Sequence, residues 1–182
     1  MGLKITKRLK TRDALVLLRD CPDTFREIGE ALDVKPYDRI TFGQRADMTE
    51  LVTISDLVLK PWELIRPDDC KPIRFKRKGI LDRPFLGVFR FSYSVIKYLE
   101  QAAERDKLTF TYKPSPLEVK AGFNDLTGGM FSTLDRIATR MHKSHDDVLG
   151  MMDILVYSIL KADYETAMYN RRLSELAQQQ KK

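Results

Sequence analysis

The sequence predicts an all-α protein: a helical bundle with a long C-terminal helix, one basic loop and at most a short β element. Three observations carry this reading. Apolar residues recur at spacings of three and four through most of the 182 residues, the period of a helix that buries one face. Serine and threonine residues stand three positions before glutamate or aspartate at several places, the signature of a helix start. The single alternating stretch, Thr109-Phe110-Thr111-Tyr112, has no recognisable partner strand and predicts only a short strand or an extended link.

In order, Leu15 and Leu18 give an apolar face to a first helix ending before Pro22. Thr24-Phe25-Arg26-Glu27 has the capping-box form, so a second helix is expected there, with Phe25, Ile28 and Leu32 on its inner face. Lys35-Pro36-Tyr37-Asp38 reads as a turn, and Thr41-Phe42-Gly43-Gln44 as another capping box. Ser55-Asp56 reads as the cap of a segment containing Leu57, Val58, Trp62 and Ile65, although Pro61 disfavours a helix interior. From Arg66 to Asp82, two prolines, the run "RFKRKG" and the lack of apolar periodicity predict a long loop or short hairpin.

The central helix is expected to begin at Pro84, with Phe85, Val88, Phe89, Ser92, Val95, Ile96, Leu99 and Ala103 as its stripe. Phe91, Tyr93 and Tyr98 fall off that stripe, which implies cover on more than one side or an exposed binding face. Ser115-Pro116-Leu117-Glu118 is the clearest cap, and Gly128-Gly129 should bend or end the helix it starts. Phe131, Leu134, Ile137, Ala138 and Met141 face the core from the next one. The expected organisation is an N-terminal helical region, 1–110, with a basic arm and a basic loop, and a C-terminal helical region, 111–182, sharing one core. In that core the helices of 116–141 and the first half of the helix after Ser144 would cover the central helix.

The chain has two histidines, His142 and His145, both inside "RMHKSHDD". That stretch reads as a helix start: Ser144 caps, while Asp146 and Asp147 complement the positive end of the helix dipole. The HExxH pattern is absent and no third ligand is suggested elsewhere, so neither a metal nor any other cofactor is expected. The following helix should run unbroken from His145 to about Gln178, roughly 50 Å at 1.5 Å per residue. Its face is Val148, Met152, Leu155, Ile159, Ala162, Thr166, Tyr169, Leu173 and Leu176, widened in the first half by Leu149, Val156 and Leu160. Such a length exceeds what a domain of this size needs, so the narrow later seam of Tyr169, Leu173 and Leu176 is expected either to meet a partner helix or to fray into solvent.

Composition bounds the function. With 43% hydrophobic and 32% charged residues, and no apolar run near the roughly 18 residues of a membrane span, no membrane role is expected. The N-terminus lacks the apolar region and cleavage site of a signal peptide, and Gly2 with Thr6 supports myristoylation only thinly. Cys21 and Cys70 form no CxxC pair, which fits a reducing compartment. The net charge of +6 is concentrated in two places. Residues 1–12 hold Lys4, Lys7, Arg8, Lys10 and Arg12 with no acid; residues 66–84 hold seven basic residues, Lys71, Arg74, Lys76, Arg77 and Lys78 among them, against three acids. Lys4, Lys7 and Arg8 of the arm and Lys71 to Lys78 of the loop are candidates for binding nucleic acid or an acidic partner, the plain alternative being two solvated basic faces. No phosphate-binding glycine loop, nucleophile elbow or paired acidic motif is present, and no enzymatic activity is expected.

One further pattern bears on function. Ala121-Gly122, Leu126, Phe131, Leu134-Asp135, Ile137-Ala138, Asp146-Asp147-Val148-Leu149, Met152, Leu160, Asp163, Glu165-Thr166-Ala167, Tyr169 and Arg171-Arg172-Leu173 together resemble the helical accessory proteins encoded among the structural genes of tailed bacteriophages, including tail-assembly chaperones. The resemblance covers roughly residues 115–177. It is a hydrophobic pattern with few fixed polar positions and brings no catalytic or ligand residues. It implies a non-enzymatic structural or assembly protein, in the virion or host cytoplasm, whose partners are other phage structural or assembly proteins or further copies of itself.

Overall fold

The computed structural model describes residues 9–19, 21–49, 51–65, 77–122 and 129–180, with the backbone alone for Pro22, Arg77 and Lys78. Every regular element among them is helical: α1 (Thr11–Leu18), α2 (Pro22–Ala31), α3 (Phe42–Asp47), α4 (Ile54–Leu64), α5 (Arg77–Leu81), α6 (Phe85–Thr109), α7 (Pro116–Lys120), α8 (Gly129–Met141), α9 (His145–Leu149) and α10 (Asp153–Gln179). The fold is all-α. Pairing of extended backbone is limited, among the described residues, to the isolated bridges Lys10–Pro84 and Thr41–Met152. Residues 1–40 with 44–102 form one compact unit, and residues 41–43 with 103–182 form another.

In the first unit, the early turns of α6 are the centre of the core. Phe85, Val88 and Phe89 are buried with Leu15 and Leu18 of α1, Phe25 of α2, Val58 and Trp62 of α4 and Ile80 of α5. The cover thus comes from the N-terminal helices, where the sequence reading had placed residues 116–141. Tyr93 and Tyr98 are buried as well, so their departure from the stripe reflects cover on more than one side. Phe91 packs edge-on against Trp62 at 4.8 Å and Tyr37 at 5.4 Å. A second cluster joins Ile40, Met48, Ile65, Val95, Tyr98 and Ala102; Ala102, one residue before the expected Ala103, is the inward alanine.

Polar groups within this core are satisfied, as burial demands. The Trp62 indole donates to the Val88 carbonyl at 3.0 Å, and the Ser92 hydroxyl to the Val58 carbonyl at 2.6 Å, fastening α4 to α6. Pro61 lies inside α4, where the helix forgoes the one amide that would donate a turn back. The cap of α4 is Thr53, whose hydroxyl accepts from the Asp56 amide at 3.1 Å, two residues before the expected Ser55. The expected box at Thr24 does not form: Cys21 is the N-cap of α2 and Pro22 opens it, because proline's fixed φ already suits the first helical position. The end of the expected loop is also helical. Arg77–Leu81 forms α5 and buries Ile80, a single apolar anchor that no periodicity scan over so short a stretch could find.

In the second unit, Leu134, Ile137 and Ala138 of α8, Val148 of α9 and Val156 of α10 form the core, with Phe42, Leu149, Met151, Ile159 and Leu160 packed on it. The helix expected to run unbroken from His145 is interrupted. α9 ends at Leu149, and Met152 is extended (φ −58°, ψ 132°) before α10 starts. The Met151 carbonyl accepts the Phe42 amide at 2.8 Å and Met152 bridges Thr41, so backbone pairing with the start of α3 replaces helical bonds there. Gly43 permits this approach: a Cβ there would lie 3.2 Å from both the Cβ and the carbonyl oxygen of Leu149. α7 is likewise shorter than expected. It ends at Lys120, with Gly122 at φ 88°, ahead of Gly128.

Candidate interaction surface

α10 presents different side chains along its different faces, and each line has a different use. Asp153 and Val156 in its first turn are buried. The Asp153 carboxylate meets Arg105 at 3.2 Å, and the same guanidinium lies over the Tyr157 ring at 4.0 Å. Desolvating a carboxylate is costly unless it is paired, and this pair fixes where the helix begins.

A second line, Tyr157, Tyr164 and Arg171, holds the stretch expected to be a short strand or an extended link. Residues 110–115 form a strap without secondary structure. The Thr109 and Tyr157 hydroxyls lie 2.8 Å apart, and Phe110 packs edge-on against Tyr157 at 6.1 Å and Tyr164 at 5.5 Å. Tyr112 stacks under the Arg171 guanidinium at 4.9 Å and accepts a hydrogen bond from it. The Tyr112 hydroxyl donates to Glu118 at 2.5 Å. Glu118 also accepts from the Ser115 amide at 2.7 Å and the Ser115 hydroxyl at 2.8 Å, closing the capping box of α7. The Tyr112 and Ser115 donors, with help from Arg171, hold the Glu118 carboxyl down at about 2. Hydrogen bonding to that carboxylate pushes the Tyr112 phenol up, and Arg171 is raised by its bond to Glu175. Sequence reading missed this cluster; its signal was the spacing of seven between Tyr157, Tyr164 and Arg171, which puts them on one side of a helix.

The third line is the seam. Tyr169, Leu173 and Leu176 are 65%, 53% and 58% exposed, and Leu155, Ala162 and Thr166 are exposed too. The intrahelical pair Lys161–Glu165 at 3.8 Å runs along one flank of this line. This apolar line is ordered within a helix and left open, a combination typical of contact surfaces.

The histidines take different roles from each other. Ser144 caps α9: its hydroxyl accepts from the Asp147 amide at 3.1 Å, and its own amide donates back to Asp147 at 3.2 Å. The Ser144 hydroxyl also donates to the Asp147 carboxylate at 2.7 Å; that bond first, and the one from the Ser144 amide second, lower the Asp147 pKa. His142 closes α8 in the left-handed region at φ 51°. The Lys143 amide reaches the Ala138 carbonyl at 3.0 Å and the His142 amide reaches Thr139 at 3.4 Å, the paired bonds of a Schellman end. His145 meets Asp135 at 3.3 Å and the Phe131 ring edge-on at 5.4 Å. Among the described residues no group of three or more His, Cys, Asp or Glu side chains could hold a metal ion.

Of the basic candidates, Lys4, Lys7, Arg8, Lys71, Arg74 and Lys76 lie outside the described residues, and Arg77 and Lys78 are described as the backbone of α5. Among the described residues no helix is long and apolar enough to cross a membrane. No family model, curated protein or solved structure matches the sequence.

Proposed function

We propose that this chain is a non-enzymatic structural or assembly protein of a tailed bacteriophage, acting through protein–protein contacts in the virion or in its assembly in the host cytoplasm. The observation that carries the reading is α10, a 27-residue helix whose seam of Tyr169, Leu173 and Leu176 stays open while a separate line of side chains anchors the protein's own strap. A helix needed only for the fold would spend its apolar residues inward. The phage assignment rests on the pattern of residues 115–177. Mass spectrometry of purified particles and of assembly intermediates tests it: the chain is expected in one or both, and its absence from both refutes the reading.

A second reading is supported by charge. The arm Lys4, Lys7 and Arg8 and the loop Lys71, Arg74, Lys76, Arg77 and Lys78 could follow a phosphate backbone without reading sequence. The triple variant K76Q/R77Q/K78Q is expected to weaken DNA retention and flatten its salt dependence, with stability within about 0.5 kcal/mol of wild type. Wild-type retention at low and high salt would reduce the loop to a solvated surface.

A further inference from the structure

We infer that the partner of the α10 seam is a second copy of α10, lying antiparallel to the first; this rests on reading the seam as a contact surface. Ile159, Thr166 and Leu173 alternate with Ala162, Tyr169 and Leu176 at steps of three and four, the a and d positions of a heptad repeat. Ile159 is half-buried and the other five are exposed. The single polar member is compatible with a dry seam, because the Thr166 hydroxyl already donates to the Ala162 carbonyl at 2.9 Å.

Orientation follows from size and charge. With a two-fold axis between Thr166 and Tyr169, Thr166 sits beside the partner's Tyr169, Ala162 beside the partner's Leu173, and Ile159 beside the partner's Leu176. The central layers then set a small side chain against a large one, as interdigitated packing requires. A parallel pair would set Tyr169 against Tyr169 and Ala162 against Ala162, overfilling one layer and emptying another. The flanks agree. Glu165 and Arg172 occupy equivalent g positions, and in an antiparallel pair g faces g, so Glu165 of each copy meets the partner's Arg172. In a parallel pair Glu165 would face Asn170 and Arg172 would face Ala177, with no opposite charge. Both residues are exposed, and among the described residues Glu165 has a loose intrahelical contact with Lys161 at 3.8 Å. The surface is therefore complementary to itself in one direction only, the condition for a closed two-fold contact.

Light scattering and sedimentation of the full chain across a concentration series test this. Wild type is expected to approach twice the monomer mass. Tyr169→Glu with Leu173→Glu should abolish the dimer while leaving the helical circular dichroism unchanged. E165R alone and R172E alone each turn two cross-helix attractions into repulsions, raising the dissociation constant about tenfold; E165R/R172E together should restore it. A monomeric wild type, single swaps without effect, or a double swap that fails to rescue would each overturn the antiparallel pairing. A monomer that is nevertheless found in particles would overturn the self-pairing and leave the assembly role standing. A dimer with the stated swap behaviour, absent from every particle and intermediate, would keep the pairing and refute the phage role.

Discussion

Two glycine-to-alanine changes inside helices are expected to have opposite signs. Alanine in place of a helical glycine ordinarily stabilises by about 0.5–1 kcal/mol, because the unfolded chain loses less freedom. Gly87, exposed in the first turn of α6, has no atom within 4 Å of where a Cβ would stand apart from its chain neighbours and its own helix backbone, so Gly87→Ala should show that gain. Gly29 lies inside α2, and a Cβ there would be driven into the ring of Tyr93, against Cε2 and Cζ. That ring cannot simply swing away. It is buried, stacks on Phe89 at 5.7 Å and meets Phe25 edge-on at 6.4 Å. Overpacking costs about 1–3 kcal/mol, which exceeds the intrinsic gain, so Gly29→Ala should destabilise by about 1–2 kcal/mol net. Urea denaturation followed by circular dichroism measures both. A Gly29→Ala protein as stable as wild type would refute the packing of α2 on α6 described above, and a Gly87→Ala protein less stable than wild type would refute the open surroundings of Gly87.

Phe89→Ala should cost about 3–5 kcal/mol, at the upper end because Phe89 also packs on Phe25 at 5.0 Å and Phe85 at 5.0 Å; Leu99→Ala, only partly buried, should cost less than the roughly 2–5 kcal/mol of a core leucine, and thermal melts rank the two. His142→Gly should stabilise by about 0.5–1 kcal/mol, the left-handed penalty of about 1–2 kcal/mol less glycine's extra unfolded entropy; equal or lower denaturation midpoints would mean that the histidine side chain contributes more than the strain it bears. Since the Glu118 carboxyl is lowered from 4.5 to about 2, its contribution to the strap is complete above about 4.5 and is lost as pH falls toward 2, whereas Tyr112, raised from 10.0, contributes fully below 10 and loses its part as pH rises through its higher folded value; Glu118→Gln should flatten the acid limb of a stability–pH profile, and an unchanged limb would place the acid sensitivity elsewhere.

The sequence was most informative where one residue decides a local structure. Ser115 with Glu118 and Ser144 with Asp147 form their capping boxes, since a cap needs only neighbours along the chain. It was less informative where two local signals competed, as when Pro22 rather than Thr24 opened α2, and least so where distant residues decided. The break between α9 and α10 depends on Phe42 and Thr41, more than a hundred residues away in the chain, and nothing within Gly150 to Met152 forces it. The cover of α6 was misassigned for a related reason: periodicity shows that a face is buried without showing what buries it. The seam of Tyr169, Leu173 and Leu176 was legible because a surplus of apolar residues at heptad spacing appears in the sequence whether or not a partner is present.

The two exposed-side uses of α10 depend on each other physically. Beyond Leu160 the helix has few buried residues, and pairs such as Arg171–Glu175 stabilise a helix by only about 0.3–0.5 kcal/mol each, too little to keep its last turns formed in water. What holds the middle of the helix is the strap, through Phe110 on Tyr164 and Tyr112 with Glu118 on Arg171. Tyr169, Leu173 and Leu176 lie within a turn or so on either side of Arg171, so the strap orders the segment that the seam occupies. Loss of the Glu118 charge or of the Tyr112 ring should therefore weaken any contact made through the seam without altering one seam residue. The entropy of ordering those turns would then fall on the binding step rather than on folding.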